Sequence, residues 1–142
     1  MGTLSALRAD SPELFARVEL RDDGFLLTIG KVHGFESLVV TAATELGVLY
    51  GVFALLSKMA RGESVSGLHE TQEPYAPIRW VDDWDNLDGR IERGYAGPSI
   101  FFENGVVRTD LTRAGEYARL LASIGINGCA INNVNEIGRA HV

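Results

Sequence analysis

Three stretches decide the fold class: Ile78-Arg79-Trp80-Val81, the helical run over residues 110–124, and Gly125-Ile126-Asn127-Gly128-Cys129-Ala130-Ile131. The first reads as a strand. In the second, Leu111, Ala114, Ala118 and Leu121/Ala122 form an apolar stripe at helical spacing, and Asp110 or Thr109 can cap its start. Gly125 ends it as a left-handed cap residue. Residues 126–131 are then a second strand. Strand, helix, strand is a βαβ unit, which predicts a parallel pair with a right-handed crossover. The connection over 84–109 is anomalous, because βα loops usually run about 2–6 residues and long ones tend to be functional. In a (β/α)8 barrel this loop emerges at the C-terminal face, where active sites are built. One βαβ unit cannot close a barrel, so the expected fold class is α/β with a truncated barrel.

The loop carries the densest polar and aromatic cluster of the chain: Asp82-Asp83-Trp84-Asp85-Asn86-Leu87-Asp88-Gly89-Arg90-Ile91-Glu92-Arg93-Gly94-Tyr95-Ala96-Gly97. A calcium loop starting at Asp83 fails, since Leu87, Asp88 and Gly94 stand where an acidic residue, a glycine and a glutamate are required. No Gly-x-x-x-x-Gly-Lys-Ser/Thr phosphate loop exists. Carboxylates, amides and an indole at the end of a strand do suit a sugar, whose hydroxyls need paired donors and acceptors and whose apolar face stacks on a ring. The competing reading is a structural loop whose Asp, Asn and Gly residues cap its own backbone. Arg93 beside Glu92 reads as a structural ion pair.

Upstream, the chain divides near Pro74. Residues 16–20 (Ala-Arg-Val-Glu-Leu) alternate as a half-buried strand, and Asp22-Asp23-Gly24 turns the chain into a second strand over 25–29, so a hairpin is expected there. Residues 37–41 are a third strand. A helix follows over 44–61, with Leu46, Tyr50, Phe53, Leu56 and Met59/Ala60 on one apolar face. Gly47 and Gly51, one turn apart, each weaken it by about 1 kcal/mol against alanine, which points to close approach between helix and sheet. Together these make an α+β layer over 1–73 with no evident chemistry. Residues 62–77, with Gly62, Gly67, Pro74 and Pro77, read as a linker. His33 and His69 read as solvated surface side chains.

Composition bounds the rest. The chain has 142 residues, about one domain's worth on the usual scale. It is 46% hydrophobic and 23% charged, a folding composition. Thirteen Lys and Arg against 19 Asp and Glu leave a net charge of −6, which argues against nucleic acid or an anionic membrane as partner. The single Cys129 excludes a disulfide framework and a cysteine-rich zinc site, and no cofactor is expected. The apolar run over 46–56 is too short to cross a bilayer. No signal peptide is visible at residues 1–10, which favours a cytoplasmic location.

The run Trp84-Asp85-Asn86-Leu87-Asp88-Gly89, with Ile91-Glu92-Arg93-Gly94-Tyr95-Ala96-Gly97 and Ser99-Ile100-Phe101-Phe102, resembles the α-glucuronidases of glycoside hydrolase family sixty-seven. So does Gly125-Ile126-Asn127-Gly128-Cys129-Ala130-Ile131-Asn132-Asn133-Val134-Asn135. Leu46-Gly47-Val48-Leu49-Tyr50-Gly51-Val52-Phe53-Ala54-Leu55-Leu56 looks like the helix of that family's N-terminal domain. The resemblance implies an N-terminal α+β domain over 1–73 and the start of a catalytic (β/α)8 barrel over 74–135. Its activity would be inverting removal of α-1,2-linked glucuronic acid, or its 4-O-methyl ether, from xylo-oligosaccharides in xylan degradation. One carboxylic acid would serve the leaving oxygen and one carboxylate the water. Both come from later strands, so no catalytic residue is expected here and the piece is expected to be inactive. A homodimeric parent is one option.

Carried over residue by residue, Trp84 matches the tryptophan lining the uronic-acid subsite. Val134 matches the valine contacting the 4-O-methyl region. Asn132, Asn133, Asp85 and Asn86 lie beside them, to orient hydroxyls or shape the loop. Asp82 departs from the family, which often has asparagine there. Residues 136–142 (Glu-Ile-Gly-Arg-Ala-His-Val) depart from the pattern and resemble a translated sequencing adapter, so they read as a non-native tail. Two other classes stay open: a free-standing carbohydrate-binding module using Trp84, and a non-functional gene fragment.

Overall fold

The computed structural model describes residues 1–132, which form two compact units, Met1–Pro77 and a second beginning at Ile78.

In the first unit, β2 (Phe25–Val32) and β3 (Phe35–Ala42) pair antiparallel from Val32↔Phe35 to Phe25↔Ala42. The two residues between them, His33 and Gly34, both have positive φ (51° and 83°), the geometry that tight hairpin turns require. The expected hairpin at Asp22-Asp23-Gly24 is thus displaced. Those residues do turn the chain, with Gly24 N–H donating to Arg21 O at 2.9 Å, but no strand leads directly into them. Residues 16–20 are not a strand. They follow two short helices, α1 (Leu4–Asp10) and α2 (Pro12–Phe15), and the Arg8 guanidinium donates to the Phe15 carbonyl at the end of α2 and to the Val18 carbonyl that a ladder would have used. Val18 and Leu20 pack instead on a cluster of Leu4, Leu7, Phe15, Leu26 and Val39.

Two further strands complete this sheet in the order β1-β3-β2-β4: β1 (Gly2–Thr3), parallel to β3, and β4 (His69–Gln72), antiparallel to β2. The stretch read as a linker therefore contains an edge strand. His-Glu-Thr-Gln has no apolar alternation to announce it. It is held by the backbone ladder, by a 3.0 Å bond between His69 Nδ1 and Thr28 Oγ1, and by a 2.8 Å ion pair from Lys58 to Glu70.

Helix α3 (Glu45–Ala60) starts at Thr44, whose Oγ1 accepts from Gly47 N–H at 3.1 Å. Its buried face is Gly47, Tyr50 and Gly51, whereas Leu46, Leu56 and Met59 of the expected stripe are exposed. The glycines explain the difference. A Cβ at Gly47 would lie 2.7 Å from Ala42 Cβ, and one at Gly51 would lie 2.7 Å from Val40 Cγ1. Close approach, not side-chain bulk, selects the face. Leu26 and Val39 point the other way, into the α1–α2 cluster. Both faces of the sheet are covered, so Phe25, Leu26 and Leu27 are all buried.

In the second unit, β5 (Trp80–Asp83) lies parallel to β8 (Gly128–Ile131), with register Trp80↔Gly128 to Asp83↔Ile131. Helix α4 (Thr112–Ser123) connects them, and Gly125 has the expected positive φ of 79°. Asp110 Oδ1 accepts from Thr112 N–H at 2.9 Å. The helix's covered side runs through Ala114, Tyr117 and Leu121; Leu111 and Ala118 of the expected stripe are exposed. Within 84–109, β6 (Phe102–Glu103) and β7 (Val106–Val107) form a small hairpin around Asn104-Gly105, both at positive φ.

Candidate functional site

Alternation along β5 sorts its side chains. Val81 and Asp83 lie on the α4 side, where the Tyr117 hydroxyl donates to Asp83 Oδ1 at 2.9 Å. Trp80, Asp82 and Trp84 lie on the opposite, more exposed side. Trp84 is 45% exposed, and its Nε1 donates to Asp82 Oδ2 at 3.0 Å. Trp80 lies across β8, where a Cβ on Gly128 would come within 2.7 Å of its indole. Beyond Ile131 the ladder continues, with Asn132 N–H donating to Asp83 O at 2.7 Å. Trp84 and Asn132 therefore sit at the C-terminal ends of adjacent parallel strands.

Asp85 and Asn86 are 4% and 2% exposed. The Asn86 carboxamide donates to Arg90 O at 3.0 Å and to Glu92 O at 2.6 Å, while Glu92 N–H donates to Trp84 O at 2.7 Å. Asn86 thus closes the turn that carries Trp84. Positive φ at Gly89, Glu92, Gly94 and Gly97 lets the chain double back over this short distance. Ser99 Oγ accepts from the N–H groups of Phe101 and Phe102, both at 3.0 Å, and Ser99 N–H donates to Gly89 O at 2.8 Å. The Glu92 carboxylate accepts from the Tyr95 hydroxyl. The segment is an ordered platform built from its own hydrogen bonds.

Beneath the platform, burial and the Asp83 carboxylate set the electrostatics. Burial, the bond to Asp83 and the charges around it push the Tyr117 hydroxyl up to about 12. Burial, then the Asp83 charge, raises the Cys129 thiol as well, which opposes a nucleophilic role. Among the described residues no group of three His, Cys, Asp or Glu is placed to hold a metal ion. No helix among them is long and apolar enough to cross a membrane. A separate cleft of about 540 Å³ in the first unit is lined by Asp10, Glu13, Lys31 and His33, with His33 Nε2 3.6 Å from Asp10 Oδ2.

Of the expected site residues, the structure brings Trp84 and Asn132 to neighbouring strand ends and buries Asp85 and Asn86 under the loop. Asn133, Val134 and the tail over 136–142 lie outside the described residues. Tyr117 and Ser99 were not anticipated. Tyr117 had a signal, since it falls three residues after Ala114 and four before Leu121, on the helix's covered side. The hairpin around Asn104-Gly105 had one too, because that dipeptide is a strong turn former.

Comparison with known proteins adds the family. Residues 1–55 match the glycosyl hydrolase family 67 N-terminus and residues 58–140 the glycosyl hydrolase family 67 middle domain. A probable alpha-glucuronidase A of Aspergillus fumigatus is 51% identical over 117 residues, covering 82% of this chain and 13% of that protein. Alpha-glucuronidase A of Emericella nidulans is 46% identical over 140 residues, covering 95% of this chain and 16% of that protein. The chain thus spans between 13% and 16% of the length of these curated relatives. With both family models matched end to end along it, the chain belongs to glycosyl hydrolase family 67.

Proposed function

We propose that these residues are the opening segment of an inverting α-glucuronidase, which releases glucuronic acid or its 4-O-methyl ether from α-1,2-linked xylo-oligosaccharides. In this reading, residues 1–73 are an N-terminal α+β domain and 74–135 the first βαβ of a (β/α)8 barrel. The observation that carries it is the parallel pair β5–β8 with a long, self-bonded loop at its C-terminal end, which presents a half-exposed indole. That is the end of a barrel at which substrates bind. The names of the fungal relatives supply the chemistry.

Trp84 stacks on one face of the uronic-acid ring, and Val134 leaves room for the methyl ether. Asn132 and Asn133 offer amides to sugar hydroxyls. Asp85 and Asn86 shape the loop, which fits their burial and the two carbonyls that Asn86 engages. Inversion needs a general acid and a general base on opposite sides of the anomeric carbon. Both belong to polypeptide outside these residues, so the segment by itself does not hydrolyse substrate.

The test is expression of the complete reading frame and of residues 1–142, each incubated with aldouronic acids while product anomers are followed by proton NMR. The complete enzyme should release the β-anomer first, and the 142-residue chain should release nothing. Release by the short chain, or an α-anomer from the long one, would overturn the reading.

A further inference from the structure

Among the described residues, two carboxylates on the α4 side of the platform each keep one oxygen without a donor. Asp83 accepts from Tyr117 through Oδ1, but its Oδ2 is buried and unbonded. Asp85, two residues on, is 4% exposed, and its Oδ1 is likewise buried and unbonded. Carboxylates this far from water are almost always paired. The neighbouring donors are committed elsewhere: Trp84 Nε1 to Asp82, Asn132 N–H to the Asp83 carbonyl, and the Asn86 amide to Arg90 and Glu92. Burial first, and after it the Asp83 carboxylate, makes Tyr117 and Cys129 hold their protons more tightly. Among the described residues, no group of three His, Cys, Asp or Glu is placed to hold a metal ion there.

The place for that charge is visible in the sheet. Among the described residues, β5 pairs only with β8 and its other edge is open. A strand added along that edge would bring its side chains to the level of Asp83 and Asp85. We propose that Asp83 and Asp85 together receive one basic side chain from polypeptide beyond the described residues, carried on the strand that pairs with the open edge of β5. A guanidinium suits the place, since its fork of donors can serve two carboxylates at once. The proposal rests on the chain being the opening of a longer barrel enzyme.

The test is a set of double-mutant cycles on the complete enzyme. Asp85→Asn and Asp83→Asn are each combined with neutral replacements of every Arg and Lys on the strand paired to β5, and melting temperatures are measured. Asp85→Asn should lower the melting temperature by several degrees. One basic residue should do the same when replaced, and the double variant should lose no more than the worse single. Asp83→Asn should couple to that same residue, and it carries the cycle alone if Asp85→Asn does not fold. A melting temperature unchanged or raised by both Asp→Asn variants overturns the proposal, as does additivity with every basic residue. A stabilising effect of divalent metal that Asp85→Asn abolishes would also overturn it. Glucuronidase activity is assayed in parallel. Coupling without wild-type activity would sink the functional reading alone, and activity without coupling would sink the pairing alone.

Discussion

Trp84 and Asp82 lean on each other across one residue of chain, the indole Nε1 donating to the carboxylate Oδ2 at 3.0 Å on the side of β5 away from α4. The bond fixes the plane of a ring that is 45% exposed and so free to meet a ligand. An asparagine at 82 could accept the same bond through its carboxamide oxygen.

Trp84→Ala in the complete enzyme should lower kcat/KM by about 10- to 100-fold, because losing one aromatic platform costs about 1–3 kcal/mol by analogy with base stacking. Melting temperature should move far less than for a core tryptophan, whose truncation costs about 3–5 kcal/mol. Asp82→Ala should lower kcat/KM by less, and Asp82→Asn should restore it. Intact kcat/KM with a collapsed melting temperature for Trp84→Ala would make the ring structural.

Asn86→Ala strips the side-chain donor from the Glu92 carbonyl beneath the loop and one of two donors from the Arg90 carbonyl, which keeps the residue-86 N–H at 2.8 Å. Leaving buried acceptors unsatisfied costs about 1–3 kcal/mol. In the complete enzyme, hydrogen exchange of the amides of Asn86, Ile91 and Glu92 should accelerate well beyond the change at β8. Unchanged protection would show that the backbone bonds alone hold the turn.

Gly51→Val puts branched carbons where a bare Cβ already falls 2.7 Å from Val40 Cγ1 and 3.2 Å from Phe25 Cβ. Overpacking of this kind costs typically about 1–3 kcal/mol. Urea unfolding should show that loss. Gly62→Ala is the control for space, since nothing lies within 4 Å of its Cβ position, although its φ of 69° adds a backbone penalty. A Gly51→Val variant as stable as wild type would remove the close-approach account of α3.

Tyr117 titrates at about 12 rather than its ordinary 10.0. A raised folded-state value means that folding favours the protonated phenol. The stabilisation is complete below pH 10 and is lost as pH climbs from there through about 12. Tyrosinate absorbance of the folded protein, compared with Tyr117→Phe, should show one group ionising late. Stability of the wild type should fall more steeply than that of Tyr117→Phe across that window. Equal slopes would mean that Asp83 does not hold the phenol proton.

The sequence by itself determined those elements whose signals are local. Thr44 begins a helix because its hydroxyl caps the fourth residue's amide, Gly125 ends another because it accepts a left-handed backbone, and the apolar run Gly128-Cys129-Ala130-Ile131 reads as a strand, which it is. Trp84 at the end of the first strand could be picked out for the same reason. Tertiary structure alone decided what depends on partners distant in the chain. The polar strand β4 exists because β2 offers it a ladder, and residues 16–20 are not a strand because they follow straight on from α2, with Arg8 on the Val18 carbonyl and Val18 and Leu20 drawn into the apolar cluster. The seating of α3 turned on two glycines meeting Ala42 and Val40, since a helix apolar on several sides has no single face for periodicity to choose. Asp85 could be picked out in the sequence as a residue to orient hydroxyls or shape the loop, but nothing there marks Asp83 and Asp85 as a pair. Their burial, and the unfilled oxygens that ask for a positive charge, come from the packing of α4 and the loop around them.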